Sequence, residues 1–311
     1  MEKLAKFQLI IIIISFLLFA STLGAWYISK SLAERETTKL FNDEADIIES
    51  WITNRLETYK TIAYGFQAFW TGSEVVTQKE WESYAETLKI SERFPGITGI
   101  DLIQRKDDSS VVTFVYPLER EGALGANLTI QPGRLEAINR AIETASPAFT
   151  SKVLLLADQK PGFVMYVPVY KTGVPVDTIE ERRVAVKGLV ALTFRSEQVF
   201  KDLFDAHDTF PRLDFEFYKG RVLEENYILY DHDYTHYIPK GEPRNTLETK
   251  RTIASDGETF TLLVAAKSSF GLTILEEQLP NIVLILGLVF SFLIFIFGLS
   301  GFRKLQKKTI D

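Results

Sequence analysis

Cysteine is absent from the 311-residue chain. That excludes a disulfide framework, a thiolate metal site and a cysteine nucleophile. Only three histidines occur, His207, His232 and His236. Metal-ligand spacing of the His-Glu-x-x-His kind is missing, as are a Gly-rich phosphate loop and a Gly-x-Ser-x-Gly elbow. One cluster keeps a catalytic reading open: Asp231, His232, Asp233 and His236 combine oxygen and imidazole groups that can hold a divalent ion. The same run also reads as a polar loop, and His207 beside Asp208 reads as a solvated residue. No catalytic residue and no cofactor is expected.

A basic surplus is missing as well. The whole chain carries a net charge of −6. Setting aside six bases and two acids in the flanks leaves 29 bases and 39 acids in residues 30–279, a net charge of −10. Such an acidic region argues against nucleic acid and against docking on anionic lipid.

What the chain has is two long apolar runs. Phe7–Ile28 and Ile282–Leu299 approach or exceed the ~18–20 residues that span a bilayer core. A cleaved signal peptide is the rival reading of the first, with Thr22 and Gly24 as small residues near a cleavage point, but its apolar run exceeds the usual ~7–15 residues. Arg303, Lys304, Lys307 and Lys308 after the second run, with Lys3 and Lys6 before the first, mark both ends as cytoplasmic. The expected localisation is therefore a two-pass plasma (inner) membrane protein with residues 30–279 extracytoplasmic. The tail is too short to fold, so no output domain is expected in this chain. Gly287 and Ser291 in the second span, and Ser21 and Ala25 in the first, are small residues four apart that allow close helix contact.

From Lys30 to Trp70 no breaker interrupts a helical pattern. Phe41, Ala45, Ile48, Ile52, Leu56, Tyr59, Ala63, Phe66 and Trp70 recur at spacings of three and four. This stripe either packs on its own domain or forms a dimer seam, and both readings stand. Gly72 and Ser73 end it, and Gln78–Glu92 reads as a second helix. Ile97–Gln104 and Ser110–Tyr116 then read as a hairpin, Pro117–Pro132 as loop and Gly133–Ala145 as a short helix. Three strands follow: Thr150–Leu156, Phe163–Tyr170 and Ala185–Phe194. In the middle one Val164, Tyr166 and Pro168 share one face, with Phe163, Met165, Val167 and Val169 on the other, so both faces are expected to be covered. Pro168 cannot donate to a ladder and requires a bulge or a free edge. Ser196 is expected to cap a helix over Glu197–Asp205. Leu213–Tyr218, Tyr227–Tyr230 and a hairpin of Arg251–Ala254 with Thr259–Lys267 make a smaller second sheet that shares its core with the first.

The expected fold class is α+β, with two membrane-spanning helices flanking a long N-terminal helix and two PAS-like antiparallel-sheet domains. The segments are residues 1–6 (cytoplasmic), 7–28 (first span), 30–72 (stalk and dimerisation helix), 73–205 (membrane-distal domain), 206–279 (membrane-proximal domain), 281–300 (second span) and 301–311 (cytoplasmic tail).

Phe94-Pro95-Gly96-Ile97, Leu124-Gly125-Ala126-Asn127, Ala141–Ala145, Phe149-Thr150-Ser151, Gly162-Phe163 and Pro168-Val169-Tyr170-Lys171 occur in this order, followed by Glu180-Glu181-Arg182, Gly188 and Phe194. Over residues 94–204 this set resembles the CHASE domain, the extracytoplasmic sensor of many histidine kinases and nucleotide cyclases, plant cytokinin receptors included. The resemblance implies that Asn127, Leu156 and Tyr166 face a ligand, and the candidate set is completed by Leu154 and Gly188. Asn127 stands where cytokinin receptors have an aspartate, and Tyr166 where they have a threonine; both departures point away from cytokinin itself. Tyr166 also reads as a core tyrosine that fills the pocket, and Asn127 as a turn residue. The resemblance implies a receptor module for a small organic ligand, dimeric through the stalk helix, acting on a separate signalling partner of histidine kinase or cyclase type. A membrane-tethered metal-dependent enzyme and a non-binding dimerisation scaffold are the alternatives.

Overall fold

The computed structural model describes residues 2–106, 109–204, 210, 212–231, 247–267 and 270–308. His207, His232, Asp233 and His236 lie outside the described residues, so the metal-cluster reading rests on Asp231 alone within them. Residues 44–268 make one compact unit; residues 1–43 with 269–311 make another.

The second of these contains the apolar runs. Helix α1 spans Glu2–Gly72 and helix α7 spans Ile274–Lys308, and both are long and apolar enough to cross a membrane. The two pack closely in that unit: a Cβ on Gly287 would lie 2.3 Å from Thr22, and one on Gly298 would lie 2.6 Å from Ile11. The small residue that matters in the first run is thus Thr22, which is buried, while Ser21 and Ala25 are exposed.

In the unit 44–268, a six-stranded antiparallel sheet is built from β1 (Ile97–Lys106), β2 (Ser109–Phe114), β3 (Ala148–Phe149), β4 (Val153–Leu154), β5 (Pro161–Tyr170) and β6 (Val186–Arg195). Its path is β2-β1-β6-β5-β3, with β4 also paired to β5. Of the strand expected over Thr150–Leu156 only Val153–Leu154 forms, as β4, with β3 lying just before the expected range. Thr150 separates β3 from β4 because its hydroxyl, not its backbone carbonyl, accepts from the Val164 amide. Pro168 sits beyond the end of β3, whose pairing stops at Tyr166 and Met165. Its carbonyl accepts from Gln67 Nε2 of α1 at 2.6 Å, so the proline faces an edge where no ladder donor is needed.

The alternation along β5 is realised, and both faces are covered. On one face, Phe163 and Phe194 stack with centroids 5.0 Å apart and Tyr59 of α1 lies 4.7 Å from Phe194. All nine residues of the α1 stripe, from Phe41 to Trp70, are buried within the chain. Helix α2 (Gln78–Thr87) adds Trp81, whose indole donates to the Ile100 carbonyl. A capping box of Thr77 and Glu80 starts α2, and Lys89 in the left-handed region breaks the single helix expected to Glu92 into α2 and α3 (Ile90–Arg93). On the other face lie helix α4 (Pro132–Thr144) and two 3-10 turns, Leu118–Ala123 and Leu128–Ile130, inside the segment expected to be loop. Helix α5 (Ile179–Ala185) occupies the charged excursion before β6.

A four-stranded sheet follows helix α6 (Ser196–Phe204). Its strands β7 (Leu213–Lys219), β8 (Ile228–Asp231), β9 (Glu248–Ser255) and β10 (Glu258–Ala266) run in the order β8-β7-β10-β9. The two sheets share a core, because Phe149 of the first meets Phe260 of the second edge-on at 5.2 Å. Buried Glu258 accepts there from Arg140 Nε at 2.7 Å and from the Phe149 amide at 3.1 Å.

Candidate functional site

Antiparallel pairing of β1 with β6 sets Asp101 opposite Ala191, and pairing of β5 with β6 sets Tyr166 opposite Ala191 and Val164 opposite Thr193. With side chains alternating along each strand, Asp101, Ile103, Val164, Tyr166, Ala191 and Thr193 share the face toward α4. They line an enclosed cavity of about 10 Å³ together with Leu128, Leu156, Arg120 and Arg134. That volume admits about one water molecule.

The cavity wall is polar where the surrounding core is not. Arg120, from the first 3-10 turn, donates through Nη2 to Asp101 Oδ2 at 3.0 Å and to Thr193 Oγ1 at 3.3 Å. Arg134, from the first turn of α4, donates to the Tyr166 hydroxyl at 3.3 Å, to the Leu154 carbonyl at 2.9 Å and to Gln131 Oε1 at 2.6 Å. Gly99 makes room for the first guanidinium: a Cβ there would lie 1.5 Å from Arg120 Nη1. Asp101, Arg120, Arg134, Tyr166 and Thr193 are all buried.

Two guanidinium groups face one carboxyl group, so the cluster carries an excess of buried positive charge. Burial pushes the Asp101 carboxyl above its ordinary range, and Arg120 and Arg134 oppose that shift. Burial likewise pushes the Tyr166 hydroxyl up. Asp101 Oδ1 and Arg120 Nε have no hydrogen-bond partner among the described residues. A buried polar atom left in this way costs about 1–3 kcal/mol, which an apolar packing of the same space would avoid.

The expected site residues divide in two. Leu156 and Tyr166 line the cavity. Asn127, Leu154 and Gly188 do not. Asn127 Oδ1 accepts from the Thr129 amide at 3.0 Å and from its hydroxyl at 2.6 Å, the geometry of a turn residue. The Leu154 side chain is exposed. Gly188 lies on the opposite face, where a Cβ would come within 2.5 Å of Trp70 and 2.0 Å of the Ile103 carbonyl; it lets the helix approach the sheet. Tyr166 is fully buried with its hydroxyl satisfied by Arg134, and it fills the space beside the cavity.

Asp101, Arg120, Arg134 and Thr193 were not among the residues expected from sequence. Asp101 and Thr193 carried a readable signal, each being the polar residue in an apolar strand, Ile100-Asp101-Leu102-Ile103 and Ala191-Leu192-Thr193-Phe194. The arginines carried none, because nothing in a loop or a helix start distinguishes a buried arginine from a solvated one.

Residues 103–230 match the family model of the CHASE domain. A search of curated proteins finds no match to the chain. Among solved structures, the chain is similar to the ligand-binding domain of the Pseudomonas fluorescens chemoreceptor CtaA. Its complex with L-leucine aligns at 10% identity and a TM-score of 0.53, covering 76% of this chain and 97% of that one. Its complex with L-serine aligns at 10% identity and a TM-score of 0.52, covering 75% and 98%. At that identity the likeness is one of fold: a long N-terminal helix backing two antiparallel sheets.

Proposed function

With a CHASE domain matched over residues 103–230 as the premise, we propose that the chain is a membrane-anchored extracytoplasmic sensor module for a small organic ligand. The single observation that carries this reading is the buried, positively charged cluster of Asp101, Arg120, Arg134, Tyr166 and Thr193 around a cavity on one face of the six-stranded sheet. Structural economy does not account for it, since each unpartnered polar atom there is a cost. A ligand carrying a carboxylate or similar anion fits the excess of guanidinium, with Asp101 as the internal carboxylate that it displaces from Arg120. Because the cavity is filled, entry requires the two 3-10 turns to lift, carrying Arg120 and Leu128 outward.

In this reading residues 73–205 are the ligand-binding domain, residues 206–279 the membrane-proximal one, and residues 7–28 and 281–300 the two spans of an inner-membrane protein. Leu156 and the Leu154 carbonyl, which holds Arg134, frame the site with Tyr166 at its floor; Asn127 turns the second 3-10 segment beside it, and Gly188, on the other face, only seats α1 against the sheet. The signal passes through the sheet, from Tyr166 on one face of β5 to Phe163 and Phe194 on the other, and so to Tyr59 of α1. A homodimer would use the outer face of α1, where Ile47 and Tyr64 are exposed, since the apolar stripe is occupied within the chain. The output partner is a separate signalling protein of histidine kinase or cyclase type.

A thermal-shift screen of the full chain in detergent against small carboxylates, amphoteric metabolites and adenine derivatives tests the reading. A ligand at a hundred times its dissociation constant stabilises by ~2.7 kcal/mol. Hits lost in Arg134→Met and retained in Asn127→Ala would place the ligand on the guanidinium cluster. A folded, dimeric protein with no hit favours the scaffold reading, to which the filled cavity also points.

A further inference from the structure

A second and larger cavity opens away from this cluster, between the two sheets of the unit 44–268. It has a volume of about 350 Å³ and is lined by Lys152, Lys160 and Pro161 before and at the start of β5, by Arg195, Ser196 and Glu197 where β6 runs into α6, and by residues 228–231 of β8. That volume lies within the range of small-molecule sites.

Ser196 is the first residue of α6, a nine-residue helix, and it is 8% exposed. It does not cap the helix as its position suggests: its hydroxyl is buried, with no hydrogen-bond partner among the described residues, and it lines the cavity. The neighbouring Arg195 Nε is also buried without a hydrogen-bond partner, although its guanidinium forms an ion pair with Asp158. Free backbone amides at a helix start favour an anion. An idle hydroxyl and an idle guanidinium N–H at the same place lack an acceptor that a ligand could supply. Lys152 and Lys160 add positive charge at the rim, while Glu197 and Asp231 put carboxyl groups on the wall. The apolar part of the wall comes from Pro161, Ile228 and Leu229.

We propose that this cavity is a second ligand site, for a small organic carboxylate that also carries a hydrogen-bond donor. The carboxylate sits at the start of α6 and accepts from Ser196 Oγ, Arg195 Nε and the lysines. The donor group faces Glu197 and Asp231. A bare inorganic anion would meet those two carboxyl groups with nothing to offer them, so the mixed wall selects for a molecule with both functions. The site is distinct from the Asp101 cluster in its elements and its residues. An occupant here would bridge β5 and β6 of the larger sheet to β8 of the smaller one, and so tune how firmly the two sheets hold together.

Saturation-transfer NMR on the full chain in detergent reads this directly, with acetate and glycolate as probes at matched ionic strength. Glycolate, which has the extra hydroxyl, is expected to give the stronger saturable signal. Ser196→Ala removes only an unpartnered hydroxyl, so the fold should be unaffected, and it is expected to weaken glycolate binding about tenfold, the scale of one hydrogen bond to a charged group. Lys160→Gln is expected to weaken both probes. Tyr166→Phe, in the other cavity, is expected to leave both signals intact. A glycolate signal that persists undiminished in Ser196→Ala, no signal in the wild type, or a signal lost in Tyr166→Phe would each overturn the assignment; the last would move the probe to the Asp101 cavity.

Discussion

The two faces of the six-stranded sheet use the same strands and solve opposite problems. Toward α1, β5 and β6 present Phe163, Met165, Val167, Val190, Leu192 and Phe194, all buried and all apolar. The stacked pair Phe163–Phe194 and the contact of Tyr59 with Phe194 close that layer without a charge. Toward α4, the next residue along each strand brings in Asp101, Tyr166 and Thr193, and two arginines arrive from outside the sheet. One face stores stability in apolar area; the other holds charge that lowers stability unless something occupies it. A sheet that carries both can register an event on its polar face and pass it to its apolar one, since the two are the two sides of single strands.

The comparison breaks hardest on the apolar side. Phe194→Ala deletes the ring between Tyr59 and Phe163 and is expected to lower stability by about 3–5 kcal/mol in denaturant unfolding, as for buried aromatics generally. Arg120→Met leaves Asp101 with its carboxyl buried and its main partner gone, which is expected to cost about 3 kcal/mol or more. The double variant Asp101→Leu/Arg120→Met should recover most of that loss. If the double variant were as unstable as Arg120→Met alone, the cluster would be supporting the fold in some way other than as a compensated pair.

A pH series sharpens the charge side. The folded-state pKa of Asp101 is raised, so the folded chain holds that proton more tightly than the unfolded chain does. Stability contributed by the neutral carboxyl is therefore full below the ordinary aspartate value and is lost as pH rises through the raised one. Asp101→Asn removes this dependence: wild type and variant should differ least in acid and diverge as pH rises through that window, in thermal melts at fixed salt. A constant difference would mean that Asp101 does not titrate there. The smallest effect is expected from Tyr166→Phe, about 1.5–3 kcal/mol for the loss of a buried hydrogen bond from the charged Arg134. The ligand screen should respond to it more than the melting curve does.

Much of the architecture was legible because burial leaves a period in the sequence. The stripe from Phe41 to Trp70 gave a helix and its inward face, and every residue of it is buried. The alternation in Phe163–Tyr170 gave a strand covered on both sides, and Pro168 correctly demanded an edge. Failures came where one contact outweighed the local pattern. Thr150 accepts a strand amide with its side chain, and only Val153–Leu154 of the expected strand forms; Lys89 turns left-handed and splits the expected helix; Ser196, in the right place for a cap, makes none.

The candidate site was half legible. Tyr166 and Leu156 were within reach because strand alternation says which way they point and the family resemblance says where to look. Gly188 was read toward the ligand and faces the helix, since the odd-even phase of β6 was set only by its pairing with β1 and β5.

By itself, then, the sequence determined the elements, the two apolar runs, the acidic middle of the chain and the choice of which β5 residues share a face. These follow from hydrophobic periodicity and charge counts, which are properties of neighbours along the chain. The tertiary structure alone decided that Asp101, Arg120, Arg134 and Thr193 meet at one cavity, and that Ser196 opens into another. Those meetings depend on strand register and on where two turns fold back, and a carboxylate in one strand carries no mark of the arginine it will face.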